Sequence, residues 1–267
     1  MNLKEYLKKA RKEKWAIGQF NFSTLEQLKG ILAAAKSLKS PVILGASEGE
    51  IGYLGLEETV ALVEISKKKY RVPAFLNLDH GRNLDLLVKA IDYGFSAVHF
   101  DGSFLPLEKN VEYVKKIVGY AHKKGTLVEG EIEEIGGSNL TLIDKADDFV
   151  NKTKIDSLAI AIGNIHGMKG SPNLDLKRLR EINKTIKAFL VLHGGSGISD
   201  SQIEEAIKSG IVKININTKL RITWKESLIS ALKNEEIKPY KILPNIQKEI
   251  QKKVEEKIKL FRSKNKI

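Results

Sequence analysis

Short apolar runs alternate along this chain with longer stretches in which apolar residues recur every three or four positions. The runs at 15–20, 41–46, 74–78, 97–100, 127–131, 157–162, 189–192 and 212–216 are rich in Val, Ile, Leu and Ala. They show little polar alternation, the pattern of strands buried on both faces of a parallel sheet. Helical periodicity fills 25–37, 56–69, 84–93, 107–124, 146–152, 176–185, 200–209 and 219–232, and Gly94, Gly125 and Gly210 are placed to end helices. This α/β order predicts a (β/α)8 TIM barrel over residues 1–267 as one domain, with a doubly wound open sheet as the alternative. A charged extra C-terminal helix over 247–261 then needs a partner surface, either the barrel wall or another subunit.

In such a barrel the ends of the strands carry the chemistry. The runs here end in Asp79-His80, Asp101-Gly102-Ser103, Glu129-Gly130-Glu131, His166-Gly167, His193-Gly194-Gly195-Ser196-Gly197 and Asn215-Ile216-Asn217-Thr218. Three of the five histidines, His80, His166 and His193, thus follow strands and precede glycine. Imidazoles delivered from three strands can converge on one ion, and three protein ligands with an open fourth position describe a catalytic zinc site. His99 lies inside a run, where packing is expected. His122 lies near a helix end, where a cation complements the dipole. The glycine-rich turn after His193 lets backbone N–H groups approach an anion, with Ser196 as a further donor, so a phosphate is expected there.

Composition narrows the chemistry. The chain has 267 residues, 42% of them hydrophobic, which is enough for a large core. Cysteine is absent, so any metal must be held by His, Asp or Glu. The net charge of +12 comes mostly from lysines interspersed with glutamates. No arginine-rich stripe with interleaved aromatics suggests nucleic acid, but a positive field attracts an anionic substrate. No apolar run approaches a membrane span, and the first residues do not begin a signal peptide, so a cytoplasmic protein with no membrane partner is expected.

Several motifs, in order, resemble the class II, zinc-dependent ketose-bisphosphate aldolases (fructose- and tagatose-1,6-bisphosphate aldolases). They are Gly18-Gln19-Phe20-Asn21, Leu78-Asp79-His80-Gly81, Phe100-Asp101-Gly102-Ser103, Gly163-Asn164-Ile165-His166-Gly167, Leu192-His193-Gly194-Gly195-Ser196-Gly197 and Lys213-Ile214-Asn215-Ile216-Asn217-Thr218. The resemblance implies a TIM barrel that cleaves a ketose 1,6-bisphosphate into dihydroxyacetone phosphate and glyceraldehyde 3-phosphate. It implies zinc or another divalent ion on His80, His166 and His193, with Asp101 and Glu131 as ligands of a second metal position. Asp79 corresponds to the acid/base at the C4 hydroxyl. Asn21 and Ser47 fall near the substrate. Gly167, Gly194, Gly195, Ser196, Asn215, Asn217 and Thr218 correspond to the dihydroxyacetone-phosphate site. A monovalent cation, Na+ or K+, and a homodimer or homotetramer are also implied. Two departures stand out. The acidic pair usual after the glycines of the fifth loop is absent, which leaves Glu133 and Glu134 as the loop acids, and Asn217 stands where fructose-type members carry aspartate. A specialised or non-catalytic sugar-phosphate-binding protein that keeps the zinc cradle is the alternative function.

Overall fold

The computed structural model describes residues 1–167, 172–233 and 235–267. Eight parallel strands close on themselves: β1 (Ile17–Asn21), β2 (Val42–Ser47), β3 (Ala74–Gly81), β4 (Ala97–Asp101), β5 (Leu127–Glu131), β6 (Ser157–Ala159), β7 (Phe189–Leu192) and β8 (Ile211–Ile216). Each pairs with the next in sequence, and β8 pairs with β1, Gln19 opposite Asn215. The open-sheet alternative is thereby excluded. A shell of helices covers the wall: α2 (Leu25–Ser37), α4 (Leu56–Tyr70), α5 (Leu84–Asp92), α6 (Leu107–Ala121), α7 (Ile143–Thr153), α8 (Leu176–Thr185), α9 (Asp200–Lys208) and α10 (Thr218–Ala231).

Three further helices depart from the sequence reading. α1 (Leu3–Glu13) closes the floor of the barrel. Its apolar face, Leu3, Tyr6, Leu7 and Ala10, packs on Trp15, Ile17, Ile43, Phe189 and Val212 at the strand beginnings. Those positions follow the three-and-four spacing of one helix face, and Asn2 and Glu5 form a capping box that marks the start. α3 (Glu48–Leu54) is a short helix opened by a second capping box, Ser47 with Glu50. α11 (Pro239–Leu260) starts eight residues before the expected 247, with proline at its first turn, where a missing N–H costs nothing.

The partner of α11 is the barrel wall. Ile242, Ile246, Ile250, Val254 and Ile258 recur every four residues and are buried. At roughly 1.5–3 kcal/mol for each fully buried aliphatic side chain, this stripe anchors the C-terminal region. It seats against α2 at Gly30, where a Cβ would come within 2.8 Å of the Gln247 carbonyl oxygen and of Ile250. Beyond the helix, the Phe261 carbonyl accepts from the Ala16 N–H (2.9 Å).

β6 is shorter than expected, ending at Ala159 rather than 162. The Ile160 N–H still reaches the Val191 carbonyl (3.2 Å), and then the N–H groups turn to side chains: that of Ala161 donates to Thr141 Oγ1 (2.9 Å) and that of Ile162 to Asn164 Oδ1 (2.9 Å). This early exit is what lets the chain turn toward His166 over the rim.

Candidate active site and metal centre

β3 delivers the central pair. It pairs with β4 as Leu78 opposite Val98 and then Gly81 opposite Phe100, so one extra residue bulges from β3 between them. Asp79 and His80 sit in that bulge, and His80 adopts φ 51°. A left-handed backbone on a non-glycine residue costs on the order of 1–3 kcal/mol and is kept only where its surroundings enforce it. Its released N–H donates to His99 Nδ1 (3.2 Å).

The rings converge at the C-terminal mouth. His80 Nε2 and His193 Nδ1 are 2.9 Å apart. Their other nitrogens face carboxylates: His193 Nε2 lies 2.8 Å from Glu129 Oε1, and His80 Nδ1 lies 3.5 Å from Asp101 Oδ2. This network assigns the proton of His193 to Nε2 and leaves Nδ1 as a lone-pair donor aimed into the cleft, the carboxylate–histidine arrangement that orients metal ligands. His166, on the loop beyond β6, presents its ring 5.0 Å from that of His80 and 6.2 Å from that of His193, at the exposed side of the cluster.

Among the described residues, Asp79, His80, His99 and His193 bring ligand-capable atoms within 4.8 Å of one another. His99 is therefore not mere strand packing. Fully buried on β4, it takes the His80 N–H, and its Nε2 stands 3.3 Å from Glu131 Oε2. Residues two apart on a strand share a face, so His99 sits one step below Asp101, and the register sets it opposite Glu129. His122, at the end of α6, pairs instead with Asp156 (2.8 Å), outside the cluster.

Asp79 is buried and accepts two hydrogen bonds, from Asn215 Nδ2 (3.0 Å) and Asn21 Nδ2 (2.9 Å). Burial alone would raise its pKa, but the charges of His80 and Lys213 overcome it and hold the carboxyl well below the usual range. The same opposition acts on His80. Burial lowers it, yet Asp79 and the Asp101 hydrogen bond prevail and raise it to about 9. His193 falls to about 3, because burial outweighs its Glu129 partner. His166 falls to about 4, through lost hydration on its inner side and the His80 charge. Two neutral imidazoles thus flank a protonated one.

The cleft holds about 350 Å³. It is lined by most of the expected residues: the three histidines, Asp79, Asp101, Glu131, Ser47, Gly167, Gly194, Ser196, Asn215, Asn217 and Thr218. Gly194 is fixed as glycine, since at φ 72° a Cβ would stand 2.0 Å from the Ile165 carbonyl oxygen. Ser196 Oγ accepts from the Lys219 N–H (3.2 Å), tying the glycine turn to the start of α10. Three expected residues lie off the surface of the cleft. Asn21 stands behind Asp79, Gly195 packs on Ile214 and Asn215, and Glu133 points into a neighbouring cavity with Lys145 (3.0 Å). Asp101 also accepts hydrogen bonds: Arg82 donates to Oδ2 from Nε (3.0 Å) and from its terminal nitrogen (2.7 Å), and Ser103 Oγ donates to Oδ1 (2.6 Å).

Sequence reasoning also missed two arginines. Arg82 and Arg221 both line the cleft, Arg221 held by Glu50 (2.8 Å). Glu50 gathers Asn21, Asn217 and the Ser47 N–H as well. The signal was present in the position of each arginine, one residue past Gly81 and three past Thr218.

A closed parallel barrel with histidines and carboxylates converging at its C-terminal rim defines an enzyme of the metal-site TIM-barrel class. Residues 1–266 match the family described as Fructose-bisphosphate aldolase class-II, and the chain belongs to that family of carbon–carbon lyases. It is 40% identical over 271 residues to a 6-phospho-5-dehydro-2-deoxy-D-gluconate aldolase of Shouchella clausii (strain KSM-K16), covering 96% of this chain and 92% of that one. It is 38% identical over 280 residues to a probable fructose-bisphosphate aldolase of Bacillus subtilis (strain 168), covering 99% and 98%. Among solved structures, the YdjI aldolase from Escherichia coli K12 superposes with a TM-score of 0.90 at 34% identity, covering 99% of this chain and 98% of that one. Among the described residues, no helix is long and apolar enough to cross a membrane.

Proposed function

We propose that residues 1–267 form one catalytic domain that uses a divalent ion, zinc first among the candidates, to cleave a phosphorylated ketose and release dihydroxyacetone phosphate. The observation that carries this is the meeting of the His80 and His193 rings with an ionised, doubly hydrogen-bonded Asp79 beside a glycine turn. The donor set fits such an ion: His166 and His193 are neutral at physiological pH, and the buried Glu131 Oε2 has no hydrogen-bond partner. His80, His166 and His193 would hold it, and a bound divalent ion supplies a Lewis acid for the substrate's ketone oxygen.

Asp79 takes the proton from the hydroxyl on the far side of the scissile C3–C4 bond. Asn21 and Asn215 occupy its two oxygens and fix its orientation. Gly194, Ser196 and the start of α10 hold the phosphate through backbone N–H groups and the helix dipole. Glu134, on the cleft wall, returns a proton to the carbon that carries the negative charge after cleavage.

Fructose 1,6-bisphosphate is the first substrate of this reading and tagatose 1,6-bisphosphate the second, each giving glyceraldehyde 3-phosphate as the other product. A further reading is favoured by the 40% identity to the Shouchella clausii enzyme and by Asn217. The substrate in that relative's name shares the phosphate-bearing ketone end but finishes in a carboxylate. A coupled assay for dihydroxyacetone phosphate with all three compounds, with and without chelator, decides among them. Zinc-loaded protein that releases none from any of them overturns the proposal.

A further inference from the structure

His99 is a fully buried histidine with both ring nitrogens directed at residues of the centre, yet it does not line the cleft. Its Nδ1 accepts the His80 N–H at 3.2 Å, so the neutral ring carries its proton on Nε2. That Nε2 faces Glu131 Oε2 at 3.3 Å, and neither atom has a hydrogen-bond partner. The Glu131 Oε1 atom accepts the Ile135 N–H at 3.4 Å, at the root of the fifth loop.

The His80 N–H needs this acceptor. The bulge in β3 breaks the register with β4 between Leu78 and Gly81, and the left-handed turn at His80 costs free energy unless something holds it. The β4 neighbour of the bulge is His99 itself, whose side chain reaches the freed N–H. A valine, leucine or methionine in its place would fill the space and leave a buried donor unpaired, at about 1–3 kcal/mol.

We propose that His99 is a positioning residue of the metal centre: Nδ1 pins the His80 backbone in the turn that aims its ring, and Nε2–H steadies Glu131. It acts through His80 and is not itself a ligand, because its accepting nitrogen is spent on the backbone and its other nitrogen points to a carboxylate. This rests on the metal reading above.

Three variants separate the two contacts. His99→Asn places an amide oxygen near the position of Nδ1, His99→Gln places an amide nitrogen near that of Nε2, and His99→Met offers neither. The readouts are zinc affinity by competition with a chromophoric chelator and the visible absorption of the Co2+-loaded protein, with circular dichroism checking the fold. For His99→Met the expectation is roughly 10–100-fold weaker zinc binding, as when a residue supporting a ligand is lost, with a shifted cobalt band. His99→Asn should recover most of the affinity and the band, and His99→Gln distinctly less. If His99→Met does not fold, the asparagine variant must still bind more tightly than the glutamine variant. Wild-type affinity and spectrum in His99→Met, or equal binding by His99→Asn and His99→Gln, overturns the positioning role while leaving the metal reading intact. Loss of zinc from all three variants makes His99 a ligand and also overturns it. Wild-type protein that binds neither zinc nor cobalt overturns both.

Discussion

Lys213 Nζ lies 2.6 Å from Glu129 Oε2, and both side chains are buried beneath the histidines. Glu129 in turn orients His193 through its other oxygen at 2.8 Å. The pair therefore transmits one buried positive charge from β8 to a ring on β7. Burial alone would raise Glu129, but Lys213 and the His193 hydrogen bond hold it well below the usual range. Lys213→Met strands that carboxylate, and removing one partner of a buried ion pair costs about 3–5 kcal/mol. Urea unfolding is expected to show a loss of that size, with part of it recovered in the double variant Lys213→Met/Glu129→Gln. No recovery in the double variant means that Lys213 acts by packing alone.

His80 and zinc compete for one nitrogen. Burial lowers the His80 pKa, but Asp79 and Asp101 raise it to about 9, so the metal-free protein carries this proton at neutral pH. A raised histidine stabilises the metal-free fold fully below the unfolded value near 6.5, and that contribution disappears as pH rises through about 9. Metal binding must expel the proton. Zinc affinity is thus expected to rise about tenfold per unit between about pH 7 and 9 and then level. Calorimetry in two buffers of different ionisation enthalpy, near neutral pH, should report close to one proton released. Affinity independent of pH across that window contradicts the assigned proton.

Asp79→Asn keeps the shape of the side chain and removes its charge. On the proposed role kcat falls by about 10²–10⁴, the usual contribution of a positioned acid or base. Zinc content should stay close to wild type, while the proton released on binding moves to lower pH because His80 loses the strongest of the charges that raise it. Parallel measurement of kcat and bound zinc checks this. Full activity in the asparagine variant removes Asp79 from proton transfer.

His166 is the outermost of the three expected ligands, its ring 6.2 Å from that of His193. A ligand on a loop rather than a strand contributes affinity but little to the fold. His166→Ala is expected to lose zinc by equilibrium dialysis and lose retro-aldol turnover, with a stability of the metal-free protein within about 0.5 kcal/mol of wild type by urea unfolding, as for exposed substitutions. Zinc retained at wild-type affinity would transfer the ligand role to the inner group of Asp79, His99 and His193.

The barrel was legible because each strand is buried on both faces, so the apolar runs carried no competing alternation. The histidines at 80, 166 and 193 were legible from the glycines that follow them. His99 was not, since a histidine flanked by Val98 and Phe100 looks like core. The missing step was to continue the face of Asp101 two residues back along β4, which puts His99 on the interior side. The bulge in β3 was equally hidden: no residue type marks it, and only the register with β4 reveals that Asp79 and His80 are displaced. α1 carried the same kind of signal as the other helices, with Leu3, Tyr6, Leu7 and Ala10 on one helix face and the lysines opposite, and was missed although its spacing is helical.

The two loop acids end in different places. Glu134 reaches the cleft wall, whereas Glu133 is buried in the next cavity and held by Lys145 at 3.0 Å. Both precede Gly136-Gly137, and Ile135, the residue that follows them, is tied by its N–H to Glu131 Oε1 at 3.4 Å. That tie holds the root of the loop while the two neighbouring acids diverge, so of the two only Glu134 lines the cleft. Glu134→Gln is therefore expected to slow exchange of the dihydroxyacetone-phosphate proton with deuterated water by about 10²–10⁴, the range for loss of an acid/base group. Glu133→Gln should leave exchange near wild type and loosen the loop instead, visible as faster proteolysis near 133–140. Deuterium incorporation followed by NMR separates the two. Exchange lost in Glu133→Gln and kept in Glu134→Gln would reverse the assignment and require the loop to turn over on substrate binding.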